Sequence, residues 1–87
     1  MKVVVKPIEM ISYTNREGVP RPVKFRVESE DKTFLTIKVD KVIQTELEKY
    51  AGNRMYKFRC QSIISGTEKI YEIKYEIDTC KWILYKI

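Results

Sequence analysis

The residue types that most often perform acid–base and nucleophilic chemistry are scarce in this chain. Histidine is absent from all 87 residues, so neither a Ser–His nor a Cys–His nucleophile pair can form. The two cysteines, Cys60 and Cys80, lie far apart and outside any Cys-x-x-Cys motif, which disfavours a zinc site. Neither a P-loop nor a G-x-G-x-x-G motif occurs. The sequence therefore predicts a protein that is not an enzyme and that binds no metal and no small-molecule cofactor.

Carboxylates close together in the sequence are the remaining candidates for general acid–base catalysis. Examples are Glu30 with Asp31 and Glu46 with Glu48. Both pairs fall in predicted turns or exposed segments and have basic neighbours. We therefore interpret them as solvated charges and not as a catalytic pair.

Positive charge is the first feature that could serve binding. The chain has 17 Lys and Arg against 12 Asp and Glu, a net charge of +5, which favours anionic partners. Most of the candidate cations lie on the outward phase of alternating segments, and one lies in a loop: Lys24, Arg26, Lys38, Arg54, Lys57 and Arg59, with Lys74 nearby. If their strands are neighbours, these side chains form one stripe that binds single-stranded nucleic acid. The alternative is an ordinary solvent-exposed face, because acidic residues interleave with them.

An apolar surface is the second candidate. If the last hairpin keeps its alternation, four apolar side chains point outward: Ile70, Ile83, Tyr85 and Ile87. Such a patch predicts an interface with a partner protein or with a second copy in a homodimer. The alternative is closure of a barrel, in which these residues belong to the core.

Alternation with period two determines which elements hold these residues. Apolar residues alternate with polar ones in four segments, centred on Phe25, Ile37, Phe58 and Ile73. All four are rich in β-branched and aromatic residues, which favours half-buried antiparallel strands. A further strand is predicted from about Ile8 to Tyr13.

The pair Ser65-Gly66 predicts a two-residue hairpin turn and with it a register. If Ile64 faces Thr67, then Phe58 faces Ile73 and the apolar residues of both strands share one face. On the other face Arg59 meets Glu72, while Lys57 meets Lys74. An even loop at Asp78 and Thr79 then places Trp82 and Leu84 on the same inner face.

One segment departs from the alternation. Residues 44–53 combine good helix formers with a Gly-Asn stop, which predicts at most one short helical turn or a loop. Leu47 and Tyr50 would then cover one end of the sheet. The whole chain, 1–87, is predicted to be a single all-β domain. We expect an antiparallel meander of five to six strands curled into a small SH3-like or OB-like barrel.

Targeting signals and disulfide patterns are not evident. Met1 to Pro7 contain only three consecutive apolar residues, far fewer than a signal peptide or a membrane span requires. Two cysteines are too few for the disulfide framework of a small secreted domain. The sequence predicts a cytoplasmic protein that has reduced thiols and does not bind membranes.

The pattern of the chain also resembles small uncharacterised bacterial all-β proteins, some of which are encoded beside translesion DNA polymerases. The similarity covers most of the chain and rests on these segments: Lys6-Pro7-Ile8-Glu9, Gly18-Val19-Pro20, Phe25, Ile43, residues 70–76 with Asp78, and the closing Trp82-Ile83-Leu84-Tyr85. The resemblance implies an accessory role in DNA metabolism, with single-stranded nucleic acid or a protein of DNA metabolism as the partner. It implies no catalytic residue.

Overall fold

The computed structural model describes residues 1–87 and folds them into one antiparallel sheet of seven strands that curls into a half-barrel. In chain order the strands are β1 (Val3–Thr14), β2 (Pro20–Glu28), β3 (Phe34–Lys38), β4 (Lys41–Tyr50), β5 (Asn53–Ile64), β6 (Thr67–Glu76) and β7 (Lys81–Lys86). Their order across the sheet is β3-β2-β1-β7-β6-β5-β4. The chain forms no helix, so none is long and apolar enough to span a membrane.

The all-β prediction is confirmed, but the strand count is seven and not five to six. The extra strand comes from the segment predicted to be a helical turn or loop, which forms most of β4. Backbone pairing with β5 along its whole length outweighs the modest helix propensity of these residues. Leu47 and Tyr50 do not cover the sheet end, since 50% and 68% of their surfaces are exposed.

The β5–β6 hairpin has the register that the turn residues predict. Ile64 faces Thr67 and Phe58 faces Ile73. Ser65 and Gly66 both have positive φ, 51° and 78°, as a type I′ turn requires. This turn matches the right-handed twist of the flanking strands and therefore holds the pairing in register.

The β6–β7 connection also follows the predicted parity. Trp82 faces Tyr75, and Leu84 faces Ile73. Both β7 residues are buried in the core. The four-residue loop 77–80 is even in length, so it preserves the inward phase from one strand to the next.

The core lies between the two halves of the curled sheet. Its nine buried apolar residues come from β2, β3, β5, β6 and β7: Phe25, Val27, Ile37, Phe58, Cys60, Tyr71, Ile73, Trp82 and Leu84. Aromatic contacts connect the halves, since the Phe25 and Tyr71 rings are 5.7 Å apart. The curl allows one inner face to bury these rings without a second sheet or a helix.

A bulge in β2 changes one predicted core position. The pairing with β1 shifts between Lys24 and Pro22, which leaves Val23 without a partner. The alternation of the segment centred on Phe25 predicts that Val23 is buried, but it is 40% exposed, because the extra residue rotates it off the inner phase. Lys24 and Phe25 keep their predicted outward and inward positions.

A short corner joins the two edge strands of the sheet. Val39 and Asp40 link β3 to β4, and the Asp40 N–H donates to the Gln61 carbonyl (3.0 Å). The buried Ser62 hydroxyl donates to the Lys38 carbonyl (2.6 Å) and accepts the Tyr71 hydroxyl proton, since Ser62 has only one proton to donate. These bonds connect the end of β3 and the corner to β5.

Candidate nucleic-acid interface

The six predicted cations do not form one stripe. Lys24, Arg26 and Lys38 lie on the outer face of β2 and β3, whereas Lys57 and Arg59 lie on β5. Three strands, β1, β7 and β6, separate β2 from β5 in the sheet. The condition for a single stripe is not met in the sheet order, because the chain passes from one sheet edge to the other between β3 and β4, so consecutive strands are not all neighbours.

The cations of β5 are neutralised by acidic neighbours. Arg59 forms an ion pair with the buried carboxylate of Glu72 (3.1 Å), and Arg54 pairs with Asp78 (3.0 Å). Each positive charge already has a carboxylate within contact distance. This part of the predicted set is therefore an ordinary charged face, the alternative that the sequence left open.

A single carboxylate resolves the contact between like charges on this face. Lys57 and Lys74 face each other across β5 and β6, and Glu48 of β4 lies between them, 3.4 Å from the Lys57 Nζ and 3.1 Å from the Lys74 Nζ. Burial alone would raise the pKa of Glu48, but the contacts with Lys74 and Lys57 outweigh it and lower the pKa. Glu48 therefore stabilises the fold at pH values above the ordinary pKa of a glutamate, and this contribution is lost as the pH falls through the lowered pKa.

Replacing Glu48 by Gln should destabilise the fold by about 1–2 kcal/mol, because two half-buried ammonium groups then lose their shared counter-charge. Urea unfolding measures the change, and high salt should reduce it by screening the two lysines. The matched control is Glu30→Gln in the exposed β2–β3 turn, which makes no ion pair. Equal stability of the two variants would contradict the bridging role of Glu48.

The remaining cations lie on a different surface, which we call the β1–β3 outer face. Lys24 and Lys38 are directly opposite each other across β2 and β3, with Ile11 of β1 completing the row. The ion pairs of the structure include neither lysine. Like charges directly opposite each other in a sheet destabilise the fold. The presence of two lysines at these positions is therefore not explained by a contribution to stability.

Exposed aromatic rings flank the two lysines. Tyr13, 64% exposed, faces Arg21 across β1 and β2. Phe34, 52% exposed, lies at the start of β3, with the Arg26 guanidinium 4.4 Å from its ring centroid. Accessible rings thus lie at both ends of a sheet face that carries cations between them, an arrangement suited to phosphates and bases.

Arg26 is held in place by a neighbour on β1. Its Nε donates to the Glu9 carboxylate at 2.7 Å, and this hydrogen bond, with the charge of Arg26, lowers the pKa of Glu9. A depression of about 400 Å³ adjoins the pair, lined by Glu9, Met10, Ile11, Lys24, Phe25, Arg26 and Thr36. One of the two unpaired lysines, Lys24, thus lines the depression together with Arg26.

Sequence reasoning missed Ile11, Tyr13, Arg21 and Phe34 as members of this face. A signal was present in β1, where Ile11 and Tyr13 occupy the outward phase while Ile8 and Met10 pack against the core. When a strand has apolar residues on both faces, one set packs in the core and the other remains available to contact a partner. For Arg21 and Phe34 the sequence gives no such signal, because they lie on different strands, β2 and β3.

The predicted apolar patch of the last hairpin is only partly present. Ile70 is exposed, whereas Ile83 and Tyr85 are half-buried, and the Lys74 ammonium lies 3.9 Å from the Tyr85 ring centroid. Ile87 does not join them, because the β6–β7 pairing shifts near Glu72 and Ile87 packs against the core. The patch is therefore smaller than the four residues predicted.

The side chains that could bind a metal ion do not cluster: no group of three or more Cys, Asp or Glu side chains is arranged to hold one. Cys60 and Cys80 are both free thiols. Burial raises the pKa of Cys60 to about 12, so its thiol stays protonated at neutral pH and is a poor nucleophile. Cys80 is exposed in the β6–β7 loop.

Comparison of this chain with protein-family models, with curated proteins and with solved structures finds no match. Its function is therefore inferred from the chemistry of its own surface.

Proposed function

We propose that this protein is a non-enzymatic accessory module that binds single-stranded nucleic acid on the β1–β3 outer face. One observation carries the proposal: Lys24 and Lys38 face each other with no carboxylate partner, on a surface that also exposes Tyr13 and Phe34. A bound phosphate would supply the missing counter-charge. The repulsion between the lysines then favours binding.

The type of nucleic acid follows from the side chains present. Phosphate contacts from lysine and arginine carry no sequence information, and stacking on Tyr13 or Phe34 accepts any base. Bases are free to stack in this way when they are unpaired. The surface is three strands wide, broader than the α-helix or two-stranded ribbon that the major groove of duplex DNA admits. We therefore propose a preference for single strands with little dependence on sequence.

The location of the site is favoured by the charge pairing elsewhere. Arg54, Lys57, Arg59 and Lys74 all contact carboxylates, which leaves the β1–β3 outer face with unpaired cations beside exposed rings. The resemblance to bacterial proteins encoded beside translesion DNA polymerases favours DNA as the strand that is bound.

A salt series of binding tests the proposal. Fluorescence anisotropy with a labelled oligothymidine should show binding that weakens roughly fifteenfold between about 50 and 200 mM salt, as expected for two to three phosphate contacts. A duplex of equal length should bind more weakly at every salt concentration. Absence of oligothymidine binding at the lowest salt, or binding that salt does not affect, would overturn the proposal.

A further inference from the structure

The sheet ends at β4, and one edge of this strand has no partner. β4 pairs with β5 alone and is the last strand in the sheet order. The corner at Val39 and Asp40 draws β3 toward β5 through the bonds of Asp40 and Ser62. Pairing between β3 and β4 is absent beyond that corner, so a seam remains open. A free strand edge presents N–H and C=O groups that match the backbone of another extended chain.

The length of the available edge is set by a bulge. The β4–β5 register shifts between Val42 and Gln44, and a bulge interrupts regular pairing. From Gln44 to Tyr50 the register is continuous. These seven residues are enough for a typical strand interaction.

The inner face of β4 offers one exposed apolar side chain at this edge. Leu47 lies on that face, opposite the half-buried Tyr56, and half of its surface is exposed. Thr45 and Lys49 lie on the same face on either side of it. A strand added to β4 would place an inward apolar side chain beside Leu47.

The outer side of β4 is acidic. Glu46 remains exposed although its carboxylate lies 3.4 Å from the Lys57 Nζ and accepts a hydrogen bond from Gln44. Glu48 follows two residues later on the same face, but it is largely buried between Lys57 and Lys74, so Glu46 is the carboxylate that stays accessible at the edge. A strand added at this edge would therefore meet negative charge with its outward side chains.

β5 shows which kind of strand β4 accepts. On the inner face it sets Tyr56 and Phe58 opposite Leu47 and Thr45, and on the outer face it sets Lys57 opposite Glu46. The side chains of β4 lie between its two edges and so present the same character to both. We infer that the free edge of β4 binds an extended segment of a partner protein in which apolar residues facing inward alternate with basic residues facing outward.

A second copy of β4 fits this edge less well than such a segment. An antiparallel pair centred on Leu47 would set Glu46 opposite Glu48, and a pair centred on Glu46 would set two Glu46 carboxylates opposite each other. Both registers bring like charges together, which disfavours pairing. The charge pattern thus favours a basic partner strand over self-association.

The test uses a peptide that copies β5, spanning Met55 to Gln61 with Cys60→Ser, added to the full-length protein. Amide hydrogen exchange by NMR should show alternate β4 N–H groups between Gln44 and Tyr50 slowed about tenfold when the peptide is present at ten times its Kd. A peptide with Lys57→Glu and Arg59→Glu serves as the charge-reversed control. No slowing in β4 with the first peptide, or equal slowing with both, would overturn the inference.

Backbone pairing has a signature of its own. Two versions of the peptide are N-methylated, each at one alternate set of residues, so that only one version loses the N–H groups facing β4. One version should then bind as the parent peptide does, and the other should not bind. Equal binding of both versions would exclude strand addition.

The same measurements address the other occupant and the nucleic-acid site. Protection of β4 amides that rises with protein concentration and needs no peptide would identify a second copy and overturn the inference.

Glu46→Lys should weaken peptide binding about fivefold, the equivalent of about 1 kcal/mol. The same variant should not weaken oligothymidine binding. A loss of peptide binding at the β4 edge can therefore be told apart from a loss of nucleic-acid binding on the β1–β3 outer face.

Discussion

Lys38→Glu should weaken oligothymidine binding between about ten- and a hundredfold, or about 1.4–2.8 kcal/mol, while making the folded protein more stable. The variant removes one phosphate contact and sets a repelling carboxylate in the β1–β3 outer face. The same carboxylate faces Lys24 across β2 and β3, which replaces a like-charge pair with an opposite-charge pair worth up to about 1 kcal/mol. Anisotropy measures the affinity, and urea unfolding measures the stability.

The matched control for Lys38→Glu is Lys69→Glu. Lys69 is an exposed residue of β6, faces Ser62 and forms no ion pair. Its replacement changes the net charge by the same amount on a different part of the sheet. If both variants lose the same affinity, binding depends on overall charge and the proposed location is wrong. If Lys38→Glu lowers stability, the pair of lysines does not have the energetic role argued above.

Phe58→Ala should destabilise the protein by about 3–5 kcal/mol, a large share of the roughly 5–15 kcal/mol typical of a domain. Phe58 is 1% exposed, faces Ile73 across the central hairpin and stacks on Trp82 with ring centroids 5.7 Å apart. Its loss leaves a cavity where β5, β6 and β7 meet. Urea unfolding followed by the fluorescence of the single tryptophan and by circular dichroism measures the effect.

Phe34→Ala is the control for this prediction, since it makes the same change at an exposed site. Phe34 contributes little to the core, so its loss should cost less than about 1 kcal/mol. The variant should instead weaken oligothymidine binding, because a stacking ring is worth about 1–3 kcal/mol per base. Comparable destabilisation by the two variants would contradict the placement of Phe58 at the centre of the core.

Much of the fold could be predicted from local sequence features. Period-two alternation indicates strands because successive side chains of a strand point to opposite faces, and Ser65-Gly66 determines the β5–β6 register through its positive φ angles. For residues 44–50 local features do not decide the secondary structure. Their side chains suit a helix as well as a strand, and pairing with β5 decides between the two.

The candidate site was predicted only in part, because surfaces depend on which strands are neighbours. Lys24, Arg26 and Lys38 were recognised as outward-facing and do share a face. Lys57 and Arg59 were placed with them, yet they lie on β5 beside Glu46 and Glu72. Alternation gives the phase of a residue within its own strand, but it carries no information about strand order.

Local features of the sequence set the phases of the central hairpin, its register and the side chains that it buries, because these depend on turn geometry and on contacts between residues close in the chain. They also set Arg59 opposite Glu72. The strand order and the charge contacts outside this hairpin follow from the tertiary structure. The corner at Val39 and Asp40 carries the chain from one edge of the sheet to the other, so Lys38 and the cations of β5 are not on neighbouring strands and an edge of β4 stays open.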